Sequence, residues 1–117
     1  MAWNIDLLPE VQDWLLELPV KDYENVMAAL DALGIDGPNL GRPFVDHLKG
    51  SKHKNMKELR PPGRNYRLLF AFDPLRKAII LVAGDKTNDW EGWYKDNIPV
   101  ADKRFDRHLK NLQRKKG

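Results

Sequence analysis

Five cations crowd one short stretch of the chain. Lys54, Lys57, Arg60, Arg64 and Arg67 all fall within "KNMKELRPPGRNYRLLFAFDP", residues 54–74. Such a group is suited to neutralising phosphate charge. A guanidinium grips two phosphate oxygens at once and keeps its proton at any ordinary pH, so arginine can meet the charge that develops on a phosphodiester under attack. The stretch reads as two strands joined by the turn "PPGRN". If those strands are antiparallel neighbours, Arg60 at the end of one and Arg67 near the start of the next share one end of the pair. A third strand, running back after "DPLRK", brings Lys86 to the same end.

Other chemistries fit less well. His47, His53 and His108 form no ligand-spaced cluster, so no metal is expected. "GDKTNDW" carries a Gly and a Lys-Thr, but it lacks the spacing and second Gly of a phosphate-cradling loop. The chain has no cysteine, which excludes a thiolate nucleophile and a disulfide. No cofactor is expected. The opening "MAWNIDLLPE" lacks a basic segment followed by a long apolar run, and no apolar stretch reaches membrane-span length, so the expected location is cytoplasmic.

These side chains need a scaffold, and a chain of 117 residues with 42% apolar and 32% charged content can build one as a single domain over 1–117. "WNIDL" alternates as a half-buried strand does. Pro9 opens a helix whose stripe is Val11, Trp14, Leu15 and Leu18, ending before Pro19. Tyr23, Val26, Met27, Leu30 and Leu33 mark a second helix, with Gly34 expected as its left-handed cap. Residues 35–53 read as a loop. "MKELR", "YRLLFAF" and "AIILVAG" read as strands, the last apolar on both faces as a central strand is. A polar, aromatic loop "DKTNDWEGWYKDNIP" then leads to a final helix from about Ala101, with Phe105, Leu109 and Leu112 on its inner stripe. The order β-α-α-β-β-β-α predicts an α+β fold, a small, twisted, mainly antiparallel sheet packed against helices.

Charge is segregated along the chain. Residues 1–36 hold one base and eight acids, and residues 37–117 hold nineteen bases and nine acids. A basic half calls for a polyanion. Trp90, Trp93 and Tyr94 interleave with Lys86 and Lys95, and unpaired RNA bases stack on such rings. With no groove-reading helix in evidence, single-stranded RNA fits better than duplex DNA. Lys52, Lys54, Lys57, Arg64, Trp90, Lys95 and Arg104 are the RNA-contact candidates. Duller roles stand beside these. Arg60 could pair with Glu58 or Asp85, Arg67 could be a buried structural cation and Lys86 a solvated one. The two Trp could be core, and His108 could be packed beside Phe105.

The ordered set "KNMKELR" (54–60), "NYRLLFAFDP" (65–74), "AIILVAGDKT" (78–87) and "WYKDNIPVADKRFDRHL" (93–109) resembles toxins of the RelE/ParE superfamily, in the HigB-like, phage-derived branch. The resemblance spans nearly the whole chain. It implies a microbial-RNase-type fold and metal-independent cleavage of mRNA, often in the ribosomal A site. It also implies a type II toxin–antitoxin system: a cognate antitoxin, commonly a HigA-like helix-turn-helix protein, that neutralises the toxin and through which operator DNA is bound. By position, Arg60 matches the family arginine closing "LR", Lys86 the basic residue after the third strand, and Tyr94 a tyrosine or histidine further on. The loop before Tyr94 is longer than in well-known members. The implied reaction is attack of the ribose 2′-OH on the adjacent phosphodiester to leave a 2′,3′-cyclic phosphate. In it Arg60 and Arg67 stabilise the transition state, and Lys86, Tyr94 or His108 moves protons. Two alternatives stay open on the same scaffold: a ParE-like poison of DNA gyrase that cuts no RNA, and an inactive phage-derived protein that binds RNA or an antitoxin. No membrane partner is expected.

Overall fold

The computed structural model describes residues 3–116. In chain order the elements are strand β1 (Asn4–Leu7), helices α1 (Pro9–Leu16) and α2 (Val20–Asp36), strands β2 (Val45–His47), β3 (Lys57–Leu59), β4 (Tyr66–Phe72) and β5 (Lys77–Asp85), and the long helix α3 (Trp90–Lys116). The five strands form one sheet in the order β1-β5-β4-β3-β2. Here β1 runs parallel to β5, and the other pairings are antiparallel. This is the α+β architecture that the order of elements predicts.

Strands β4 and β5 are apolar on both sides because both sides are covered. Leu68, Phe70, Ala78 and Ile80 face Val11 and Leu15 of α1 and Val26, Leu30 and Leu33 of α2. On the reverse face, Leu69, Ala71, Ile79 and Leu81 meet Ile98, Ala101 and Phe105 of α3. All eight strand residues are 0% exposed. Full burial of a large apolar side chain contributes about 1.5–3 kcal/mol, so this double core is the main source of stability. A bulge between Leu69 and Phe70 shifts the β4–β5 register and leaves Leu81 between the paired positions Ile80 and Val82. Arg104 of α3 donates from Nη1 to the Leu81 carbonyl at 2.7 Å, so α3 is tied to the sheet where the ladder is irregular.

Three boundaries differ from the sequence reading. Helix α2 does not end at Gly34: it runs to Asp36, and Gly37, at φ +57, is the residue that leaves the helix. Gly34 lies inside α2 where the helix meets β1, and its carbonyl accepts the Trp3 N–H at 2.6 Å. The supposed loop 35–53 contains β2, whose three residues pair with β3, Val45 against Leu59 and His47 against Lys57. So short a strand has no readable period. Helix α3 starts at Trp90, eleven residues before Ala101. Pro99 marks a break in the sequence, yet it sits inside the helix on its exposed side. The apolar stripe of α3 runs back through Ile98 to Tyr94. Asp89 starts the helix, its carboxylate accepting the Gly92 N–H at 3.0 Å.

Gly84 lies opposite Arg67 in the ladder, under Trp93, and a Cβ there would approach Trp93 Nε1 to 2.6 Å. Gly84→Ala is expected to cost about 1–3 kcal/mol by overpacking. Gly41→Ala, which meets nothing within 4 Å, should be near neutral. Thermal unfolding of the two variants side by side checks this; equal melting temperatures would refute the packing assigned to Gly84.

Candidate active site

The antiparallel pairing brings Arg60, Arg67 and Lys86 to one end of the sheet. Arg60 follows β3, its N–H donating to the Phe44 carbonyl at 2.7 Å. Arg67 is the second residue of β4. Lys86 follows β5, its N–H held by the Asn65 carbonyl at 3.1 Å. The two arginines converge on a residue that the sequence reading treated only as an ion-pair partner, and Lys86 lines the same cleft as that residue. Glu58 of β3 pairs with Leu69 in the ladder and so faces α3, where it is 5% exposed. Tyr94 Oη donates to Glu58 Oε1 at 2.7 Å. Arg67 Nε lies 3.1 Å from the same oxygen and Arg60 Nε 3.4 Å. The Arg67 approach lacks hydrogen-bond alignment, and that side chain is oriented by its Nη1, which donates to the Tyr66 carbonyl at 2.8 Å.

In front of this cluster is an open cleft of about 580 Å³. Glu58, Arg60, Lys86 and Tyr94 line it, with Arg42 and Asp46 at one side. Arg67 is not part of the lining; it lies behind Glu58. Asp46 bridges Arg42 at 3.2 Å and Arg60 at 3.4 Å, which orients Arg60 from its outer side. The His47 N–H, with Arg42 adding to it, holds the Asp46 carboxyl below its usual range.

Two further titrating groups of the cleft are perturbed. Burial, then the charges of Arg67 and Arg60, push the Lys86 ammonium below the ordinary lysine value, against an opposing pull from Glu58. Its Nζ sits 3.6 Å from the centre of the Trp90 ring and 5.3 Å from that of Tyr94. Burial and the Glu58 carboxylate raise the Tyr94 hydroxyl from 10.0 to about 12. Tyr94 is therefore a fixed donor at neutral pH, unsuited to accepting a proton.

Arg60, Arg67, Lys86, Tyr94 and Trp90 come together, and other candidates do not. His108 donates to or accepts from Asp73 at 2.8 Å beside the β4–β5 turn. That turn is six residues along β4 from Arg67, roughly 20 Å away, so His108 is outside the cleft. Lys57 points to the other face of the sheet, 5.6 Å from the Phe72 ring centre. Arg64 turns to Asp22 of α2 at 3.2 Å. Lys52 is paired with Asp106, and Arg104 serves the bulge and Glu10, at 3.4 Å. Lys54 and Lys95 are exposed. The residues missed by the sequence reading are Glu58, Asp46 and Arg42. For Glu58 a signal existed: an acid between Met56 and Leu59 in a strand is buried on one face and needs partners.

A protein-family model described as "Phage derived protein Gp49-like" matches residues 13–106. HigB3 of Mycobacterium tuberculosis is 50% identical over 103 residues, 88% of this chain and 90% of its own. HigB2 of the same organism is 46% identical over 128 residues, which span all of this chain and 63% of that one. Both are named as toxins. Among solved structures, a double mutant of the Escherichia coli toxin RelE in its free state aligns with a TM-score of 0.62 at 14% identity, covering 92% of this chain and 98% of that one. The archaeal RelE–RelB complex from Pyrococcus horikoshii OT3 aligns at 0.58 and 20% identity, over 75% and 99% of the two chains. At these identities the structures establish a RelE-like fold.

Tyr94→Phe should remove the step near pH 12 from the tyrosinate absorbance titration and cost about 1 kcal/mol through the lost bond to Glu58. Since folding raises this pKa, the Tyr94 contribution is complete below about pH 10 and fades as pH climbs toward 12. A titration unchanged by the substitution would contradict the Tyr94–Glu58 pairing.

Proposed function

This chain belongs to the Gp49-like family of phage-derived proteins, as a HigB-like toxin of the RelE superfamily, and we propose that it is a metal-independent endoribonuclease that cuts mRNA on the ribosome. The observation that carries this reading is the convergence of Arg60, Lys86 and Tyr94 on one cleft over the buried Glu58. Arg60 faces the opening and meets the charge on the phosphodiester. Arg67, behind Glu58, acts as a positioning residue: with Tyr94 it holds the carboxylate that in turn orients Arg60.

Lys86 takes the role of base. Burial and two guanidinium neighbours raise its neutral fraction, and the lone pair of the neutral amine accepts the ribose 2′-OH proton. The 2′-oxygen then bonds to phosphorus as the bond from phosphorus to the 5′-oxygen breaks. The leaving oxygen takes a proton from water, and the products are a 2′,3′-cyclic phosphate and a 5′-hydroxyl. The exposed Lys54 and Lys95 are assigned to the RNA backbone. A solved complex of RelE with RelB supports a cognate antitoxin for this chain as well, and we assign that role to a HigA-like helix-turn-helix protein that carries the pair to operator DNA.

Inducible expression followed by primer extension on cellular mRNA tests the reading. Arg60→Ala should lower cleavage at least about a hundredfold, the scale of one lost transition-state donor. Lys86→Arg keeps a charge but cannot give up its proton, so it should fall by about two to four orders of magnitude. The rising limb of the wild-type rate against pH should level off below the ordinary lysine value of 10.5. Undiminished cutting by both variants would overturn the assignment.

A further inference from the structure

Trp90 differs from the other three tryptophans of the chain. Trp3 packs edge-on against Phe72, Trp14 against Tyr66, and Trp93 lies over Gly84 beside Tyr94. Trp90 packs in neither core cluster and is 52% exposed. An indole kept that far out of the core contributes little to folding. Its position is nonetheless fixed, because it is the first residue of α3, directly after the Asp89 cap.

One face of the ring is occupied by a cation. The inner face covers Lys86 Nζ at 3.6 Å. The half-exposure of the residue then belongs to the outer face and the edge. A cation against one face draws electron density from the ring, so the opposite face favours an electron-rich partner. Trp90 and Tyr94 are four residues apart on α3 and so neighbours on one helix face, and both rings lie over the same ammonium, Tyr94 at 5.3 Å. A group stacked on Trp90 is therefore next to Lys86, which lines the same cleft as Arg60.

We propose that the outer face of Trp90 is a nucleobase-stacking subsite that favours purines and selects the nucleotide next to the scissile phosphate. This rests on the ribonuclease reading and deepens it by assigning the base preference to one ring. A purine offers the larger and more electron-rich surface, and stacking of this kind tolerates either purine.

The test is cleavage of a reporter mRNA in a cell-free translation system, which supplies ribosomes, with cut sites mapped by primer extension for wild type, Trp90→Leu and Trp90→Phe. The wild type should cut beside purines. Trp90→Leu should lose about tenfold in rate, the scale of one lost base–ring contact, chiefly through a higher KM, and should lose the purine bias. Trp90→Phe should keep the bias, and neither melting temperature should move. A Trp90→Leu enzyme with the wild-type distribution of cut sites overturns the subsite. A wild type that cuts nothing overturns the ribonuclease reading instead. The stacking inference is then decided separately by polarisation binding of a fluorescein-labelled oligodeoxynucleotide with either adenine or an abasic residue at one position, and equal retention of the two overturns it.

Discussion

The site depends on a buried carboxylate. Arg60, Arg67 and Lys86 are brought together by strand pairing, and like charges a few ångströms apart in a partly dry environment repel by several kcal/mol. Glu58 offsets that repulsion from the centre, with one oxygen shared among Arg67, Arg60 and the Tyr94 hydroxyl. Its location is not optional. Position 58 pairs with Leu69, whose side chain points to α3, so the carboxylate must enter the same layer as the apolar core of that face. There it is tolerated because its partners are charged or strong donors.

The two faces of the sheet have been put to different uses. The α1–α2 face carries the acidic first third of the chain and a closed apolar core. The α3 face carries a second core at one end and the cleft at the other. Ion pairs cross between elements: Arg64 of the β3–β4 turn to Asp22 of α2, and Arg104 of α3 to Glu10 of α1. They explain why a count of cations overstates the working surface. Several bases that look available in the sequence are engaged by carboxylates, and Arg67, nearest the centre of the cluster, does not line the cleft.

The readable parts of the fold were those with repetition. "YRLLFAF" and "AIILVAG" are long enough for strand character to show, and Val11, Leu15, Val26, Leu30 and Leu33 repeat at helical spacing. The unreadable parts were those where a single residue outweighed the pattern. Pro99 reads as a boundary, yet it is accommodated on the exposed side of α3, because the apolar residues before and after it lie on one continuous buried stripe. Val45–His47 forms a strand because the edge of β3 is available to pair with it, a circumstance no local pattern records.

The sequence by itself determined the class of fold, the sharing of one sheet end by Arg60, Arg67 and Lys86, and the resemblance of the ordered motifs to HigB-like toxins. These follow from periodicity, from the antiparallel direction that short turns enforce, and from motif order, all of which are properties of the chain read in line. Only the tertiary structure decided that Glu58 is the hub, that Arg67 stands behind it, that His108 lies at the far end, and that Trp90 lies over Lys86 half in solvent. Those are contacts between elements distant in sequence, set by which face of a strand meets which turn of a helix.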